Sequence, residues 1–339
     1  VYTGALNFIR TAHQMGEQTN VAAYLFDTMK LGKFELNAGA RIERNSGTYR
    51  SDTISAVPAT LGDVTPGTQF KNADTLFSYR VGLVYKPVET VSLYAAYGNS
   101  RTPSKASVNG SCTAATCNIS PETATNYEIG AKAELFEGGL LLTASAFRNE
   151  RDKYAVASND PTVVDQQLDG HSRVDGIALG ATGKITPNWS ITANYTHLKS
   201  KLVQSVSDFC LANPGQGTCT NTVAVPNPGG GSDLTQTPKN SASLFTTYRL
   251  PFGLTIGYSA TYQGSFALNT PTATSAVVYR SDDYLIHNAY LSYEFTPNLS
   301  AQLNVKNIGD KLYFQRVRNN GWATPGDARS AVLTLTAKM

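Results

Sequence analysis

The sequence predicts an all-β fold, a transmembrane antiparallel β-barrel, and three observations carry that prediction. First, six stretches alternate apolar and polar residues, each joined to its neighbour by a very short turn. Leu254, Ile256, Tyr258, Ala260 and Tyr262 interleave with Thr255, Gly257, Ser259, Thr261 and Gln263. A period of two puts one set on each face of a strand. One face suits hydrocarbon and the other water, as in a barrel with lipid outside and a wet lumen inside. Second, connections alternate strictly between tight turns and long loops, the pattern of periplasmic turns and extracellular loops. Third, no run of roughly 20 apolar residues, which a membrane helix would need, occurs.

The elements follow in order. A strand over 1–10 opens the chain. Residues 21–30 and 33–44 pair about Leu31–Gly32, with Phe34, Leu36, Ala38, Ala40 and Ile42 on one face. Residues 75–86 and 90–99 meet at Lys86–Pro87, with Phe77, Tyr79, Val81, Leu83 and Tyr85 outward. Residues 125–135 and 139–148 meet at Glu137–Gly138, and 174–185 and 189–199 at Pro187–Asn188. Residues 240–250 and 254–263 turn at Pro251–Phe252–Gly253, and 284–296 and 299–307 at Pro297–Asn298. A strand over 329–338 closes the chain. The total is about fourteen strands of roughly ten residues, the length a tilted strand needs to cross a bilayer. The long loops fall at 45–74, 100–124, 149–173, 200–239, 264–283 and 308–328. This parity puts residue 1 and Met339 on the periplasmic side. Segment 210–240, rich in turn formers, reads as a mobile surface loop.

Bulk composition agrees. The 339 residues are 41% hydrophobic and only 16% charged, against about 25% charge in soluble domains. The 18 tyrosines suit aromatic girdles at the membrane interfaces. A formal net charge of +3 is too weak to imply a nucleic-acid partner, and none is expected. The cysteines fall in two close pairs, Cys112/Cys117 and Cys210/Cys219, both in long loops. Local pairing in loops suggests disulfides formed in an oxidising compartment. The rival, a zinc site, lacks ligand spacing, because His13, His171, His197 and His287 are scattered. No catalytic constellation emerges, so the chain reads as a non-enzyme.

Several stretches carry a resemblance. "YAAYGNSRTPS" (94–104) leads into an Arg-Thr-Pro-Ser loop. Residues 111–151 contain Pro-Glu-Thr, Asn-Tyr-Glu-Ile-Gly-Ala-Lys and Phe-Arg-Asn-Glu in order. "LTQTPKNSASLFTTYRLP" (234–251) and "NVKNIGDKLYFQRVRNNGWATPGDARSAVLTLTAKM" (304–339) complete the set. Together they resemble the C-terminal barrel of TonB-dependent outer-membrane siderophore receptors, the catecholate receptors in particular. That family has a 22-strand barrel and an N-terminal plug. The resemblance therefore implies that residues 1–339 form one domain, about fourteen strands of a 22-strand barrel, with the plug and first strands absent. The final Met339 stands where the family usually has Phe.

The resemblance implies a bacterial outer-membrane receptor that imports a ferric siderophore, energised by the TonB complex through the missing plug region. Its partners are then the siderophore, the TonB complex and outer-membrane lipid. No cofactor is bound directly, since the siderophore itself supplies the ligands to iron. Cations at the loop mouth would attract an anionic ferric chelate: Arg148 and Arg151 in a charge run, Arg101 and Lys105 in the Pro-containing loop, and Arg316 and Arg318 near Tyr313 and Phe314. Trp322, deep in a Gly/Pro-rich loop, offers a face for catechol rings. The plainer alternative is a solvated rim with girdle aromatics. Arg41, Arg80, Lys132 and Glu134 are expected to line the lumen. Two other functions stay open: a passive channel closed from fourteen strands, and a soluble or adhesive β-protein.

Overall fold

The computed structural model describes residues 10–103, 112, 116–117, 119–157, 159, 167–319 and 321–338. It is one antiparallel meander of hairpins. β1 (Ala12–Leu31) and β2 (Phe34–Ile54) come first, and β3 (Val64–Thr65) returns briefly on the tip of β2. β4 (Phe70–Val88) pairs with β5 (Val91–Thr102), and β6 (Glu122–Leu135) with β7 (Leu140–Val156). β8 (Gln167–Thr186) pairs with β9 (Trp189–Gln204), β10 (Asn240–Arg249) with β11 (Leu254–Gln263), and β12 (Tyr284–Thr296) with β13 (Leu299–Lys306). β14 (Phe314–Val317) and β15 (Ala323–Pro325) form a small separate hairpin, and β16 (Ser330–Ala337) pairs back onto β13. Among the described residues a 3-10 turn (Pro58–Thr60) follows β2, and a short α-helix, α1 (Asp208–Ala212), lies in the β9–β10 loop.

The main sheet has fourteen strands, but not the fourteen expected. The two-residue β3 supplies one of them, while the expected strand over 1–10 lies outside the described residues apart from Arg10. Strand lengths also differ. β1 has 20 residues, β2 21, β4 19 and β8 20, about twice the crossing length. The cause is physical. Alternation is imposed only where one face meets lipid. Beyond that band both faces are wet, so the pattern stops while the hydrogen-bonded ladder continues, as in Asn45↔Asp74 and Tyr49↔Phe70.

Register confirms the two faces. Ile42, Phe77, Val81, Leu83, Ile129, Leu142, Ile177, Leu179, Ile256, Leu291 and Leu335 all share the apolar face, and all are exposed. A large exposed apolar band of this kind fits lipid. Aromatics mark both its edges. On the turn side Phe34 stacks on Tyr85 at 4.8 Å, and Trp189 donates to the Thr246 hydroxyl at 2.9 Å. On the loop side Tyr79, Tyr97 and Tyr127 form a row with centroids 5.8 and 5.0 Å apart. Tight turns use the left-handed conformation that glycine adopts without strain, at Gly32 (φ 57°) and Gly253 (φ 91°).

The sheet is open. Among the described residues β1 pairs only with β2 and β16 only with β13, and β16 is exposed on both faces. The described strands therefore do not close into a fourteen-strand pore.

Above the loop-side girdle the chain folds locally. Both expected disulfides are present, Cys112–Cys117 and Cys210–Cys219. Cys112 and Cys117 pack on Tyr49 and Phe70, which face each other across β2 and β4. The segment expected to be a loose loop is instead a folded cap. Ser207 caps α1 by accepting from the Cys210 amide at 3.3 Å, and Cys210 is buried. Buried Asn221 donates to the Cys210 and Pro226 carbonyls, both at 2.7 Å. These polar side chains satisfy a backbone that has no ladder partner.

One carboxylate there makes a pH prediction. Asp52, 4% exposed, accepts from the Gly67 amide at 3.0 Å and pairs with Arg50 at 2.9 Å. The Gly67 N–H, then Arg50, holds its carboxyl below the ordinary carboxylate range. A lowered folded-state pKa stabilises the β2–β3 corner fully above the ordinary value of about 4, and that contribution is lost as pH falls through the lowered value. Hydrogen exchange at Gly67, corrected for intrinsic rates, should show constant protection from neutral pH to about 4 and a decline below it. Asp52→Asn should abolish that pH dependence. Persistence of the decline in Asp52→Asn would show that another group controls the corner.

Candidate ligand-binding mouth

The polar face and the loop ends together form the candidate site. Within the sheet, cations sit over aromatic rings. The Arg80 guanidinium lies 4.9 Å from the centroid of Phe26, and Lys132 Nζ lies 5.7 Å from that of Tyr94. Tyr94 donates to Glu128 Oε1 at 2.5 Å. Phe26, Arg80, Tyr94 and Lys132 line a concavity of about 510 Å³ with Asn37, Ser92 and Asn126. Arg41 donates from Nε to Glu43 Oε2 at 2.7 Å, and Asn20 ties Glu43 to Asn45 across β1 and β2. The expected luminal residues Arg41, Arg80 and Lys132 are thus on the polar face. Phe26 and Tyr94 were missed as ring partners, although alternation around Leu93 and Ala95 marks Tyr94 as polar-side.

At the mouth the candidate residues separate by strand face. Arg151 is on the polar face, where its Nε donates to Glu122 Oε2 at 3.1 Å and its guanidinium lies 5.4 Å from the Tyr154 ring. Tyr154 donates to the Gln204 carbonyl at 2.9 Å, and burial pushes its hydroxyl pKa up. Arg151 is therefore held in place by a carboxylate and a ring. Arg148 lies directly opposite Tyr127 and Asp175, on the face that carries Ile129 and Ala146, and pairs with Asp175 at 2.6 Å. Arg101, opposite Thr123 on β6, shares that face. Lys105 lies outside the described residues.

Arg316, Arg318 and Trp322 are brought together. Arg316 sits opposite Thr324 in the β14–β15 hairpin, and the Arg318 amide donates to the Trp322 carbonyl at 2.8 Å. All three are exposed, Trp322 at 75%. The hairpin is moored from below. Tyr313 packs on Tyr284 at 4.8 Å. Asn307, 2% exposed, accepts from the Lys311 amide and donates to the carbonyls of Lys311 and Asp327, all within 3.0 Å. Neighbouring loops are cross-tied as well, with Asp233 between Arg280 at 3.4 Å and Lys239 at 3.5 Å. The hairpin thus gathers two arginines and a tryptophan, all exposed, on one short element, residue types suited to an anionic ligand with aromatic rings.

Comparison with known proteins agrees with this architecture. A family model described as "TonB dependent receptor-like, beta-barrel" matches residues 2–308. The chain is 31% identical to a probable TonB-dependent siderophore receptor, PiuA, of Acinetobacter baumannii, over 95% of this chain and 40% of that protein. It is 28% identical to the catecholate siderophore receptor Fiu of Escherichia coli K12, over 95% of this chain and 42% of that protein. The crystal structure of PiuA superposes with a TM-score of 0.79 at 29% identity, covering 96% of this chain and 44% of that one. The chain thus spans about two fifths of the length of these curated relatives.

Proposed function

This chain belongs to the TonB-dependent receptor-like β-barrel family of the bacterial outer membrane, and we propose that it forms the C-terminal part of a receptor that imports a ferric siderophore, of the catecholate class. The observation that carries this reading is the hairpin that sets Arg316 and Arg318 beside Trp322 at the long-loop end of the barrel. A ferric catecholate is anionic and ringed with π-faces, so guanidinium charge and an indole meet both of its properties. Arg151 and Lys105 complete the proposed mouth. The iron is cargo held by the siderophore. Residues 1–339 act as a single barrel domain, and further strands and a plug complete the receptor. Through that plug the TonB complex supplies the energy of transport.

The test uses the full-length receptor and a ferric tris-catecholate probe. Combined Arg316→Gln, Arg318→Gln and Trp322→Ala should weaken binding about tenfold or more, since cation–π and charge contacts each contribute on the order of 1 kcal/mol. Unchanged affinity would remove the hairpin from the site. Uptake in cells lacking the TonB complex should fall to background. Undiminished uptake there would mean passive passage.

A further inference from the structure

Arg151 reaches its place at the mouth through a device that strand parity does not predict. Residues 151 and 154 are three apart, so in an unbroken strand they would point to opposite faces. Here the Arg151 guanidinium and the Tyr154 ring meet on one face. The β7–β8 ladder shifts register between Asp152 and Tyr154, and Lys153 between them takes a left-handed φ of 58°. This bulge adds one residue to β7 and turns Tyr154 back to the side of Arg151.

Tyr154 then lies directly opposite Gly170 on β8. A Cβ placed on Gly170 would stand 2.5 Å from Tyr154 Cε2 and 2.6 Å from Cδ2 and Cζ. Carbon atoms in contact keep about 3.5–4.0 Å, so only glycine lets the ring rest on the β8 backbone. The ring is not free to swing aside, because its hydroxyl donates to the Gln204 carbonyl on β9 at 2.9 Å. The Arg151 guanidinium lies 5.4 Å from the ring centroid, and its Nε donates to Glu122 on β6 at 3.1 Å. Four strands, β6 to β9, thereby fix one cation whose side chain stays 57% exposed. The same arrangement recurs at two other cation–ring contacts. Arg80 lies over Phe26, which is opposite Gly39, where a Cβ would stand 3.1 Å from the ring. Lys132 lies over Tyr94, which is opposite Gly130, where a Cβ would stand 2.5 Å from the ring.

We propose that Gly170 and Tyr154 are positioning residues for ligand binding, which seat the Arg151 guanidinium so that its open side meets the anionic ferric chelate. The inference rests on the reading of Arg151 as part of the mouth. Glycine supplies the room, the ring supplies the seat, and the bulge brings seat and cation to one face. If ring and glycine did no more than pack β7 on β8, crowding them would lower stability and leave binding untouched.

The test measures ferric tris-catecholate affinity of the full-length receptor at low and high salt. Arg151→Gln should weaken binding about fivefold at low salt, the scale of one exposed charge contact, and less at high salt. Gly170→Ala should weaken it about threefold with the same loss of salt dependence. Combined with Arg151→Gln it should add nothing, because it acts through that side chain. Tyr154→Leu, which removes the seat without a clash, should behave like Gly170→Ala and carries the test alone if that variant does not fold. Gly257→Ala crowds Tyr290 in the same way near the turn end of β11, and should keep wild-type affinity. Wild-type affinity in Arg151→Gln would remove Arg151 from the mouth, and this inference with it. Loss in Arg151→Gln alone, with wild-type affinity in Gly170→Ala and Tyr154→Leu, would overturn the positioning role and leave the mouth intact. Weakening by Gly170→Ala that adds in full to that of Arg151→Gln would overturn it too.

Discussion

Residues 1–339 expressed without further strands should remain protease-sensitive in detergent and show no heat-modifiable band on a gel, whereas the full-length receptor should show both signs of a folded barrel. The reason lies at the sheet edges. Along an edge strand, alternate residues direct their N–H and C=O groups away from the sheet. A crossing of about ten residues leaves about ten such groups unpaired per edge, each costing several kcal/mol in hydrocarbon. Two edges thus cost tens of kcal/mol, against a net stability of about 5–15 kcal/mol for a typical domain. β1 is exposed at nearly every position and β16 at all eight. A folded, closed barrel recovered from residues 1–339 alone would refute this account, and with it the proposal of a longer receptor.

Asn307→Leu should lower the thermal midpoint of the full-length receptor and cost about 3–6 kcal/mol at the β13–β14 corner. Three partly buried backbone groups lose their partners, at about 1–2 kcal/mol each, the lower part of the range for a lost partner. Asn307 also occupies the left-handed region at φ 47°, which Asn tolerates better than Leu. Asn307→Gly separates the two effects, because glycine removes the backbone strain and keeps only the loss of side-chain bonds. Most of the destabilisation should survive in Asn307→Gly. Because the same side chain moors the hairpin of Arg316, Arg318 and Trp322, siderophore affinity should fall with it. A thermal midpoint within experimental error of wild type for Asn307→Leu would show that the loop finds other partners.

The mouth was less legible than the wall for particular reasons. Counting by twos from Leu140 through Leu142, Ala144 and Ala146 reaches Arg148, so parity alone places Arg148 on the apolar face. Its proximity to a loop obscured that. Arg151, three residues on, falls on the other face and meets Glu122. Trp322 and Arg318 come together only because a four-residue strand and a three-residue strand pair. Asn307 as a buried anchor had no signal beyond its place in the Asn-Ile-Gly-Asp turn.

The membrane-spanning wall was written into the chain itself. Alternation assigned the faces, loop parity assigned the two ends, and cysteine spacing paired the disulfides, because each depends on residues close together in sequence. The extent of the strands beyond the bilayer, the folded β9–β10 cap, the open edges and the sorting of mouth cations between lumen and lipid depended on the assembled sheet. They arise from register between distant segments, and outside the hydrocarbon no solvent asymmetry imprints a periodic pattern on the sequence.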